Sequence, residues 1–176
     1  VESIKPLGNG LINDTYRVST IEDDAPDYVL QRINESIFTD VELLQRNIEA
    51  VTKHIRKQLI DEGADDIDRR VLSFMSTNNG KTYCRDAQGD CWRLSIFISD
   101  AVTVDTVNPE YSYHAGKAFG KFEAQVADIT DQLGETIPDF HNMELRLNQL
   151  RQAVREDRAG RVAGVKEFID ALEQYS

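Results

Sequence analysis

Two glycines one residue apart open the chemistry of this chain. The stretch PLGNGLINDTYRV, residues 6 to 18, places Gly8, Asn9 and Gly10 ahead of the polar cluster Asn13, Asp14 and Thr15. Glycine at a strand end lets the backbone bend sharply or lets another group approach closely. Between two antiparallel strands, such a turn can present backbone N–H groups to the oxygens of a phosphate. In dinucleotide-binding folds the glycine turn leads into a helix, whereas TYRV continues as a strand. The competing reading is a plain hairpin turn, because Asn and Gly dominate hairpins for conformational reasons.

Other reactive residue types add little. The histidines read His54-Ile-Arg, His114-Ala-Gly and His141-Asn-Met, so no His-x-Asp catalytic pattern is present. The carboxylates DDID at 65–68 read as a solvated loop without the ligand spacing of a calcium site, and no metal site is expected. Cys84 and Cys91 flank the turn around AQGD and could face each other across a hairpin. Without secretory context they read as reduced and packed. Trp92 and Arg93 read as structural members of a strand.

These residues need elements to position them. SIKPL at 3–7, NDTYRVS at 13–19 and DYVLQRI at 27–33 read as three strands. TDVE at 39–42 has the capping-box pattern, with Thr39 as cap and Glu42 reaching back. The helix it starts, 39–62, carries Val41, Leu44, Ile48, Val51, Ile55 and Leu59 on one stripe. VLSFM, KTYCRD and CWRLSIFI read as a three-stranded meander, and 109–127, 143–158 and 161–175 as helices. Strands holding one helix, followed by helices only, predict an α+β fold in two lobes.

Composition narrows the function. With 176 residues and 40% hydrophobic content, the chain can bury a core of ordinary size. A formal net charge of −11 argues against a phosphate-backbone binder, so no nucleic-acid partner is expected. No run approaches the roughly 20 apolar residues that span a bilayer, no leader pattern opens the chain, and a cytoplasmic location is expected. The chain opens almost directly into a strand and stops just after a helix, which reads as a piece of a larger protein.

The words PLGNGLINDTYRV, YVLQRIN, GDCWRLSIFI, AFGKF and ETIPDFHN, in this order and spacing, resemble bacterial N-acetylhexosamine 1-kinases and related kinases of the aminoglycoside phosphotransferase superfamily. The resemblance covers nearly the whole chain. It implies a protein-kinase-like fold, with a β-rich nucleotide lobe over 1–100 and a partial helical lobe over 101–176 that ends before the catalytic loop. It also implies transfer of the γ-phosphoryl of ATP, with Mg2+, to a small-molecule hydroxyl, an amino sugar's anomeric hydroxyl above all. Related acceptors are aminoglycosides, choline, homoserine and methylthioribose. Carried onto this sequence, Gly8, Asn9 and Gly10 would cover the phosphates, with Asn13, Asp14 and Thr15 beneath them. Phe97, Ile98 and Ser99 would be the hinge that meets adenine, and His141 and Arg146 would touch the sugar. The Mg2+ ligands and the catalytic carboxylate would lie outside these residues, so the chain alone is expected to be inactive.

One departure stands out. Kinases place a lysine on the third strand, paired to a helix glutamate, but this strand reads VLQRI. Alternation puts Gln31 with Val29 and Ile33, and Arg32 with Leu30. Gln31 is therefore expected inward, in a neutral contact with Asn47 of the helix that replaces the ion pair. The alternative function is a kinase-like module that binds a nucleotide or ligand without transfer.

Overall fold

The computed structural model describes residues 1–8, 10–22, 24–102, 104 and 106–175. They form two compact units, Val1–Thr136 and Ile137–Ser176. The first contains β1 (Ser3–Pro6), β2 (Asp14–Ser19), β3 (Tyr28–Arg32), α1 (Val41–Asp61), the short α2 (Ile67–Arg70), β4 (Cys84–Arg85), β5 (Cys91–Ile96) and α3 (Pro109–Val126). The strands make one antiparallel sheet in the order β1-β2-β3-β5-β4, with α1 inserted between β3 and β4. The α+β class expected from the sequence is what the chain adopts.

Residues directly opposite each other in an antiparallel sheet share a face. Thr15 lies opposite Gln31, and Gln31 opposite Arg93, so these three form one row across β2, β3 and β5. Asp14, Arg32 and Trp92 form the adjacent row on the other face. Helix α1 covers the first face. Its Val41 and Leu44 join Ile33 and the fully buried Cys91 in one core cluster, while Ile55 and Leu59 join Val71 in a second. Of the apolar stripe read from the sequence, these four helix residues are buried, and Ile48 and Val51 pack at the margins.

The first unit extends beyond the lobe boundary expected near residue 100, because the end of α3 docks on α1. Val126 packs against the second cluster, Gln58 Nε2 donates to the Gln125 carbonyl, and His54 Nε2 lies 2.9 Å from the Asp128 carboxylate. Further back along α3 the face is open. Tyr113, Phe119 and Phe122 are all exposed, and no residue of the helix is buried.

Three local expectations change. Helix α1 is capped by Asp40, whose carboxylate accepts from Leu43 N–H at 2.8 Å. The capping box read at Thr39 does not form, because Glu42 turns instead to Lys81 Nζ and the Tyr83 hydroxyl. The meander shrinks as well. Val71 turns into the α1 core, so among the described residues its segment makes backbone contact with β5 at the Phe74–Ser95 bridge and the flanking bonds of Ser73 and Met75, while the Phe74 ring lies 5.6 Å from the Arg93 guanidinium. β4 keeps two residues, because Thr82 and Tyr83 just before it turn to α1. The cysteines also separate. Both are free, Cys91 is buried and Cys84 is exposed, so the packed reading holds for Cys91 alone. Burial pushes the Cys91 thiol above its ordinary pKa, which keeps it protonated.

The second unit contains α4 (Met143–Glu156) and α5 (Lys166–Gln174), joined by a 3-10 turn at Val162–Val165. A two-pronged pair from Arg151 to Glu173, at 2.8 and 2.5 Å, ties α4 to α5. Among the described residues, no helix is long and apolar enough to cross a membrane.

Candidate functional site

The turn between β1 and β2 is closed by Leu7 N–H donating to the Thr15 carbonyl. Gly8 has φ 71°, in the left-handed region where a side chain would be strained. Gly10 does not, and only ordinary contact with the Asn13 carbonyl at 3.5 Å would meet an added Cβ there. The turn's own backbone therefore requires glycine at position 8 and not at position 10. Asn9, the third residue expected over the phosphates, lies outside the described residues. Asn13 Oδ1 accepts from Asn34 N–H, which fastens the turn to the chain just past β3.

The polar cluster after the turn divides between the two faces. Asp14 points to the face away from α1, where its carboxylate pairs with Arg32, and Arg32 also reaches Asp90 at 3.2 Å. These three residues line a hollow of about 270 Å³ together with Ile12, Asn34 and Glu35. Asp14 thus does not share a face with Thr15, and the expected grouping of both beneath the turn is corrected by strand alternation. The same alternation puts Arg32 outward and Gln31 on the α1 face, as the sequence indicated.

Gln31 has different partners from those expected. Its Nε2 donates to Thr15 Oγ1 at 2.9 Å, and its Oε1 accepts from Arg93 Nε at 2.9 Å and Nη2 at 2.5 Å. Arg93 Nη1 donates to Gln45 Oε1 at 3.1 Å. Gln45, buried on α1, donates to the Thr82 hydroxyl at 2.9 Å, and that hydroxyl donates to Glu49 at 2.8 Å. A continuous polar chain thus runs from the glycine turn across the sheet to the helix. Desolvation lowers the Arg93 pKa, though not enough to discharge a guanidinium.

Asn47 takes no part in this chain. It clamps the segment before the end of the unit, with Nδ2 donating to the Gly134 carbonyl at 2.6 Å and Oδ1 accepting from Gly134 N–H at 3.1 Å. The Gln31–Asn47 contact is corrected accordingly: Asn47 lies on the side of α1 that receives residue 134, and Gln45 is the helix residue that faces the sheet. Arg93, Gln45 and Thr82 were not among the site residues read from the sequence. The signal available was period two in CWRLSI, which puts Arg93 on the inward face with Cys91 and Ser95.

At the far end of β5, Phe97 N–H donates to the Asp27 carbonyl and its ring lies 4.3 Å from the Arg17 guanidinium. The Ser99 carbonyl accepts from Arg69 at 3.0 Å. Ile98, the middle residue of the expected hinge, lies between these two anchored neighbours. In the second unit, His141 stacks edge-on against Phe140 and Asn142 caps α4 by accepting from Leu145 N–H. Arg146 donates to Gln149 and to the Asp139 carbonyl, bracing the turn before the helix. Among the described residues, no group of three or more His, Cys, Asp or Glu is placed to hold a metal ion. No protein-family model matches the chain.

Proposed function

We propose that this chain carries the nucleotide-binding part of an ATP-dependent small-molecule kinase, with the anomeric hydroxyl of an N-acetylhexosamine as the favoured acceptor. The observation that carries the reading is the glycine turn closing β1 to β2 and continuing directly into the Thr15–Gln31–Arg93 row on the helix-covered face. Gly10 fits this reading, since the local backbone does not demand it and the missing side chain leaves room for a phosphate. Support also comes from an antiparallel sheet with one long packed helix, α1, between its third and fourth strands, the order that the resemblance implies.

In this reading the N–H groups of the turn cover the nucleotide phosphates. The backbone of Ile98 meets the adenine edge, because the Phe97 N–H and the Ser99 carbonyl already have partners within the chain. Bound Mg2+ would supply positive charge to offset the charge that develops in transfer. No residue of these 176 is assigned to holding that ion or to accepting the proton of the attacking hydroxyl.

The test is ADP release by the protein expressed from its full reading frame, with MgATP and a panel of N-acetylhexosamines, neutral hexoses, choline and aminoglycosides. Release that depends on an N-acetylhexosamine is the expected result. Nucleotide binding without release for any acceptor would replace the kinase with a non-catalytic binding module.

A further inference from the structure

Arg93 is a guanidinium held by neutral groups. Its three hydrogen bonds all go to amide oxygens, those of Gln31 and Gln45. No ion pair to Arg93 is found among the described residues, whereas Arg17, Arg32, Arg56, Arg85 and Arg151 each meet a carboxylate. This happens in a chain with 31 acidic and 20 basic residues. Strand positions on the α1 face include Lys5, Arg17, Arg85 and Arg93 and no Asp or Glu.

Placing a cation in a half-buried site without a counter-charge is costly, and a purely structural role is served as well by a paired or apolar side chain. The amide oxygens, with the Phe74 ring 5.6 Å away, hold the guanidinium fork without cancelling its charge. Three of its five N–H groups are used, which leaves two for another acceptor. The row that holds Arg93 begins at Thr15, whose carbonyl closes the glycine turn.

We propose that Arg93 on β5 is the cation that binds the nucleotide phosphates, taking the charge role that kinases give to a third-strand lysine, with Gln31 and Gln45 as the residues that position it. The inference rests on the nucleotide reading above and adds to it the identity of the cation. Arginine suits the task, because its planar fork can engage two phosphate oxygens at once.

Gln31→Glu is the decisive variant. It keeps an acceptor on Arg93 Nε and Nη2 and nearly the same shape, but supplies the missing negative charge. Dissociation constants for MgADP and for adenosine would be measured by calorimetry on wild type, Gln31→Glu and Arg93→Gln, alongside unliganded melting temperatures. The expected result is MgADP binding at least about tenfold weaker in both variants, adenosine binding unchanged, and Gln31→Glu melting at or above wild type. Full MgADP affinity in Gln31→Glu overturns the role of Arg93 and leaves the nucleotide site standing. Equal losses for MgADP and adenosine overturn it too, since they would locate the effect away from the phosphates. Failure of the wild-type chain to bind either ligand overturns the nucleotide reading and this inference together. If Arg93→Gln does not fold, Gln31→Glu decides alone.

Discussion

At the scale of single residues, the contrast between Gln31 and Arg32 is the most informative. They are neighbours on one strand and do opposite work. Gln31 supplies the oxygen that accepts two of the Arg93 hydrogen bonds, while Arg32 lies on the open face among Asp14 and Asp90. Gln31→Ala leaves a half-buried guanidinium short of partners, and a polar group so stranded costs about 1–3 kcal/mol. Urea denaturation should show a loss of that size for Gln31→Ala and little change for Arg32→Ala, whose ion pairs are solvated. MgATP affinity should follow the same ranking. The reverse order would mean that the outer face, with its Asp14–Arg32–Asp90 cluster, is the one that matters. Alternation alone identified the inward residue. It could not identify the partner, because Gln45 and Asn47 are only two positions apart on a helix whose rotation about its axis is set by packing.

At the scale of elements, α1 shows how a local signal can be read one residue off. Both Thr39 and Asp40 are residue types that cap helices, and Glu42 stands where a capping box places it after Thr39. The contest was settled from outside the helix. Lys81 and Tyr83 bind the Glu42 carboxylate, the Tyr83 hydroxyl bond being the larger cause of its lowered pKa, and Asp40 is left to receive Leu43 N–H. Asp40→Ala should therefore destabilise the protein by about 1 kcal/mol, the usual cost of a lost cap, while Thr39→Ala should shift the thermal midpoint hardly at all. A larger effect at Thr39 would restore the capping box. The short β4 and the bridging segment at Phe74 have the same kind of cause. Each reads as a strand by residue type, and each is drawn off the sheet by contacts to α1.

At the scale of the whole molecule, the acidic composition sets how the protein responds to pH. Asp27, Glu35 and Asp86 are held below the usual carboxylate range by hydrogen bonds from Arg17, Arg85 and Trp92 respectively, and Glu42 by Tyr83 and then Lys81. A folded-state pKa below the unfolded one gives stability that is complete above the unfolded value and is lost as the pH falls through the folded value. The melting temperature should accordingly stay nearly level from pH 7 to about 5 and fall below about 4, where free carboxylates protonate. Emission from Trp92, the sole tryptophan, should change over the same acid range as Asp86 protonates and its bond from the indole N–H weakens. A stability maximum near pH 4 would contradict these pairings. By itself the sequence determined the α+β class, the α1 stripe, the three late helices and the inward face of β3. These follow from periods of two and 3.6 residues, which are local properties of the chain. Only the tertiary structure decided that Arg93 is the cation beside Gln31 and that Gln45 and not Asn47 faces it. Those outcomes depend on which strand lies beside which, and β5 pairs with β3 across some sixty intervening residues. No local pattern encodes that neighbour.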